Sequence, residues 1–142
     1  MSRPALAIVL GPVVVILAYA LLRTPAPFAP PAETGAIARA YAAKRSDLVV
    51  ESGGVVVRSL RDDVHGSRHQ RFIVRLDDGH TVLVSHNIDL APRIDAIRAG
   101  DRVEFRGEYE WTDQGGVVHW THHDPQGRRP GGWVRHDGRE YR

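Results

Sequence analysis

Cysteine is missing from all 142 residues. Its absence excludes disulfides, a lipid-modified cysteine anchor and any zinc site built on thiolates. Histidine and carboxylate are then the only strong metal ligands the chain can offer. Net charge is nearly absent too. The formal +2 includes Arg3 and Arg23, and setting them aside leaves 17 cations against 17 anions. Bulk charge therefore gives no reason to expect nucleic acid or another polyanion as a partner. Size is limited as well, since a chain of this length holds one domain and one modest core.

What is present begins with an uncharged apolar run from Ala5 to Leu22, bracketed by Arg3 and Arg23. As a helix it would be roughly 27 Å long at about 1.5 Å per residue, the short end of a membrane span. Ala18-Tyr19-Ala20 also fits a signal-peptidase site, so residues 1–22 are expected to be a membrane anchor or a cleaved signal peptide. Either one sends the remainder out of the cytoplasm, to the periplasmic face of the inner membrane or, after cleavage, free in the periplasm. Residues 23–47 follow as a spacer. Pro25, Pro27, Pro30 and Pro31 favour extended chain, and the Ala-rich stretch around Ile37 and Tyr41 predicts a short helix that at most leans on the domain.

Residues 48–142 read as the domain. Val49, Val50, Val55, Val56 and Val57 predict a strand bent at Gly53-Gly54. Phe72, Val74 and Leu76 alternate with Arg71, Ile73 and Arg75, and an Asp77-Asp78-Gly79 turn leads into a third strand. Asp89, Pro92 and the Ile94/Ile97 pair predict a short helix over residues 88–98. A final hairpin puts Val103, Phe105, Tyr109 and Trp111 on one face, turns at Gly115-Gly116 and returns through Val117 to Thr121. Phe72, Val74, Val103, Phe105, Tyr109, Trp111 and Trp120 are the expected core. Residues 126–142 read as a tail anchored by Trp133 and Tyr141.

Three strands, a short helix and two strands make a mainly β chain in the order of an OB-fold, a small Greek-key barrel. An SH3-like barrel or a plain meander is the alternative. The stretches GSRHQRF (66–72), SHNIDLAPRI (85–94), GDRVEFRGEYEW (100–111) and GGVVHWTHHDP (115–125) resemble the bacterial domain of unknown function 3465 family. The resemblance covers residues 49–142 and implies a short exported or membrane-anchored protein, with no chemistry attached. Asp78-Gly79-His80-Thr81 is also similar to the Asp-Gly-Asp-Thr of staphylococcal-type nucleases, but histidine replaces their metal-binding aspartate.

Eight histidines fall between His65 and His136. Strand parity brings the loop at Asp62, Asp63, His65 and His69, the strand end at His86, and the run His122-His123-Asp124 to one end of the barrel. His119 and His123 share a strand face but lie roughly 13 Å apart at about 3.3 Å per residue, so no single strand supplies a ligand pair. A divalent metal such as zinc would need His69, His86, His123 and Asp124 together, with Asp62 or Asp63 orienting the imidazoles and Arg68 or Arg71 reading an anion. The plain alternative is that these groups only hydrogen-bond the backbone. Three functions follow: an envelope binding module for a small-molecule or protein ligand, a metal-dependent hydrolase acting on phosphodiesters, and a structural subunit of an envelope assembly. No nucleophile with its base and orienting group can be named, which favours the first.

Overall fold

The computed structural model describes residues 35–142. Residues 1–22 and most of the spacer, on which the anchor or signal expectation rests, lie outside them. No helix among the described residues is long and apolar enough to cross a membrane. Among the described residues one short helix, α1 (Ala36–Ala42), precedes seven strands: β1 (Leu48–Ser59), β2 (His69–Leu76), β3 (Thr81–Asn87), β4 (Arg102–Glu110), β5 (Val117–His119), β6 (Trp133–His136) and β7 (Arg139–Tyr141).

Five of these close a barrel. The sheet runs β1-β2-β3-β5-β4, and β4 pairs back onto β1. Only the β3–β5 contact is parallel, and only Leu83↔Val117 and Val84↔Val118 make it. The long β1 serves two neighbours, with residues 48–55 on β4 and 54–59 on β2. The expected bend at Gly53-Gly54 falls where it changes partners. A Cβ on Gly54 would strike the Arg75 carbonyl oxygen, so only glycine allows that approach.

The predicted alternation holds on β4, where Val103, Phe105 and Tyr109 are buried and Arg102, Glu104, Arg106 and Glu108 face outward. Phe72, Val74, Val84, Val118 and Val134 complete the barrel interior. Each fully buried side chain of this size contributes roughly 1.5 to 3 kcal/mol. Contact across strands, more than propensity, therefore holds the short β5 in place.

One predicted element is corrected. Residues 88–100 form turns and extended chain, with no helix. Ile94 and Ile97 are buried, but the backbone bonds elsewhere than in a helix. The Gln70 amide donates to the Ile94 carbonyl oxygen at 2.9 Å and accepts the Ile94 N–H at 2.8 Å, and Asp101 accepts the Arg98 N–H at 2.9 Å. With side chains supplying those partners, the helical ladder has no advantage to add. The helix at 36–42 does more than lean on the domain. Ile37 and Ala40 are buried in the main core, and Tyr41 packs against His80 at the β2–β3 turn.

Residues 126–142 are not a loose tail either. β6 pairs with β4 and turns through Asp137-Gly138, both at positive φ, into β7. That is the Asp-Gly two-residue hairpin turn. β5 and β6 lie on the same edge of β4, β5 against 108–110 and β6 against 103–106. They are one strand line interrupted by the excursion 120–132.

Candidate functional site

The excursion begins at Trp120, whose φ of 56° turns the chain out of the sheet. Left-handed backbone at a bulky residue costs energy and persists only where surrounding contacts enforce it. Three sets of contacts do so here. Thr121, fully buried, hydrogen-bonds His86 through the barrel wall at 2.8 Å. The Gly132 N–H donates to the His122 carbonyl oxygen at 2.7 Å and closes the neck of the loop. Asp124 organises the tip, accepting the N–H groups of Gln126, Arg128 and Arg129 at 3.0, 2.7 and 2.8 Å. Those donors, Gln126 foremost, hold its carboxyl below the usual carboxylate range.

Between this loop and the outer face of β1 and β4 lies a pocket of ≈ 290 Å³. Val49, Arg106 and Glu108 reach it from the sheet, Asp47 borders it, and Trp120, Arg129 and Pro130 come from the loop. Val49 is directly opposite Glu108 in the β1–β4 register and is 51% exposed, an apolar floor with nothing packed on it. Arg129 sits 4.6 Å from the Trp120 ring centroid and donates to Glu108 at 2.9 Å, which fixes that wall. Arg106 and Asp47 carry no hydrogen bond or ion pair from their side chains among the described residues. The pocket therefore holds an unengaged cation, an unengaged carboxylate and an apolar floor, the mixture a small polar ligand needs for orientation and burial.

The histidine end of the barrel is assembled differently from the expectation. His86 is fully buried, and its Nε2 lies 3.1 Å from the Pro92 carbonyl oxygen. A carbonyl can only accept, so Nε2 carries the proton and Nδ1 accepts from the Thr121 hydroxyl, leaving no lone pair for a metal. Burial pushes the imidazole below its ordinary range. His69 starts β2 beside it and donates Nδ1–H to the Ser67 carbonyl oxygen at 2.8 Å. His122, not His123, turns inward, with Nδ1 at 2.7 Å from the His123 carbonyl oxygen, while His123 is exposed. Asp124 is spent on its own loop. Among the described residues no group of three His, Asp or Glu side chains is placed to hold a metal ion.

The supporting residues find separate partners. Asp62 pairs with Arg93 at 2.9 Å, Asp63 accepts from His65, and Arg68 pairs with Asp89 at 2.7 Å. Arg71 donates to the Arg61 carbonyl oxygen at 3.0 Å. His119 faces Glu108 and Glu110 at 3.9 and 3.7 Å, on the outer wall. Of the expected core, Phe72, Val74, Val103, Phe105 and Tyr109 are inside. Trp111 is half-buried against the core and donates Nε1–H to the Tyr41 carbonyl oxygen at 3.2 Å. Trp120 is outside the core as a pocket wall, because its backbone turns the side chain off the strand face. Trp133, read only as a tail anchor, is buried beneath Arg135 at 3.9 Å.

Sequence reasoning missed the pocket, since Arg106 and Val49 look like ordinary outward strand positions. It also missed the pair between buried His136 and Asp101 at 2.8 Å. The Asp137-Gly138 dipeptide could have revealed β6, and with it the position of His136.

A family described as Protein of unknown function (DUF3465) matches residues 14–142. No curated protein matches the chain.

Proposed function

The chain belongs to the DUF3465 family, and we propose that it is a binding module of the bacterial envelope that holds a small polar ligand in the Trp120 pocket. The barrel order β1-β2-β3-β5-β4 closing on β1, with β3 parallel to β5, supports reading the barrel as an OB-fold, a scaffold used for binding on many unrelated proteins. Residues 5–22 supply the export or anchoring signal, so the barrel faces the periplasm or is released into it. A membrane reached through residues 5–22 and a small molecule in the pocket are the partners of this reading.

The observation that carries it is the interruption of one strand line by residues 120–132. A barrel needs no such excursion to close. Here the loop is held by Thr121, Asp124 and Gly132 in a strained conformation whose visible result is a pocket with Arg106 and Asp47 unengaged. Native mass spectrometry on the full chain, extracted from bacterial envelopes in mild detergent, tests it. The wild type is expected to carry an added small-molecule mass that Arg106→Ala loses. No added mass, or the same mass on both, would contradict the proposal.

A further inference from the structure

The outer face of β1, β2 and β3 lies on another part of the barrel and carries a different chemistry. Arg58 is directly opposite Ile73 in the β1–β2 register, and Arg71 and Arg75 flank Ile73 two residues to either side. Diagonal neighbours of this kind sit roughly 7 to 8 Å apart, close enough for three like charges to oppose one another. No carboxylate relieves Arg58 or Arg75, neither of whose side chains has a hydrogen bond or ion pair among the described residues. β3 supplies Thr81, Leu83 and Ser85 to the same face, and Leu83 is opposite Ile73. The acidic strand residues lie elsewhere: Glu51 is on the part of β1 that pairs with β4, opposite Arg106, Glu104, Glu108 and Glu110 are on β4, and Glu140 is on β7.

Beside these arginines is an apolar groove of ≈ 180 Å³, floored by Leu60, Ile73 and Leu83 and walled by Thr112, Gln114 and Gly116 of the β4–β5 loop. From this juxtaposition we infer that the β2–β3 face binds a single-chain anionic amphiphile, its acyl chain in the groove and its head group on Arg58 and Arg75. Three features choose that ligand. The cations have no internal partner, and guanidinium reads carboxylate or phosphate through charge-assisted hydrogen bonds. The groove offers aliphatic side chains and no aromatic ring, which disfavours nucleobases, whose single strands are held by stacking. Its volume suits one chain segment and not the paired chains of a phospholipid.

Photolabelling tests this on the full chain in non-ionic detergent, with a diazirine-bearing palmitate as probe. The crosslink is expected on peptides containing Ile73, Leu83 or Gln114. Arg58→Glu with Arg75→Glu should cut labelling there roughly tenfold, the factor for losing about 1.4 kcal/mol of charge-assisted contact, while the double Lys variant keeps most of it. The methyl ester of the same probe should label as weakly as the Glu variant. Competition by unlabelled palmitate or by monoacyl phosphatidylglycerol identifies carboxylate or phosphate as the preferred head. Labelling that maps outside the groove, that ignores the head-group charge, or that neither competitor reduces would overturn the inference.

Discussion

His86 Nδ1 meets Thr121 Oγ1 at 2.8 Å, beyond Val84 and Val118, where the backbone ladder between β3 and β5 ends. A side-chain bond thus extends the shortest closure of the barrel, and it fixes the residue that follows Trp120. Thr121→Val keeps the shape, removes the donor and leaves a buried imidazole acceptor unsatisfied. The expected cost is about 1 to 3 kcal/mol, read as a lower urea midpoint at unchanged slope. An unchanged midpoint would mean that the bond does not hold the closure.

The same histidine sets an acid sensitivity. Burial depresses the folded-state pKa of His86, whereas the unfolded chain takes up its proton near pH 6.5. Below that pH the unfolded state binds more protons, so stability falls as pH drops from about 6.5 toward the folded-state value, and the group contributes nothing to the slope above this window. His86→Gln should lose this part of the pH dependence between about pH 7 and 5.5. Carboxylates held low, such as Asp101 and Asp124, act only in more acid solution, below about pH 4. Parallel urea midpoints for wild type and variant across the upper window would refute the assignment.

Adjacent glycines at the loop neck should behave differently. A Cβ on Gly132 would be driven into the Trp120 and Arg106 carbonyl oxygens, whereas one on Gly131 meets only the His123 Cα at 3.5 Å and the end of Arg142 at 3.7 Å. Gly132→Ala is expected to destabilise by about 1 to 3 kcal/mol through overpacking, and Gly131→Ala to be near neutral. Thermal denaturation of the two variants checks the contrast, and equal melting temperatures would remove the neck as a fixed point.

The tryptophans divide by environment. Trp133→Ala empties a buried site and should cost about 3 to 5 kcal/mol, while Trp120→Ala removes a half-buried wall and should cost clearly less. Urea denaturation ranks them, and the reverse order would put Trp120 back in the core.

The strands were legible because period-two burial is written directly into residues such as Val103, Phe105 and Tyr109, and because Gly53-Gly54 and Asp77-Asp78-Gly79 are strong local signals. Ile94 and Ile97 misled: their spacing fits a helix, but the choice between helix and extended plug was made by the Gln70 amide, distant in sequence. Parity places the run His122-His123-Asp124 beside His69 and His86, and of that run only His122 acts on the His86 ring together with His69. It failed one step later. The left-handed backbone at Trp120 takes the chain out of strand alternation, so Thr121 and His122 are both buried, His122 against the Trp120 ring, while His123 is exposed. A backbone turn at a tryptophan carries no compositional signal, and the pocket that depends on it was invisible for the same reason.

The three tryptophans occupy three settings, Trp111 beside α1, Trp120 in the pocket wall and Trp133 under Arg135. Fluorine NMR of the full chain labelled with 5-fluorotryptophan therefore separates pocket binding from general change. On adding the low-molecular-weight fraction of a bacterial envelope extract, the Trp120 resonance should shift while that of Trp133 stays in place. A Trp120 resonance that does not move, or three resonances that move together, would contradict a ligand in the Trp120 pocket.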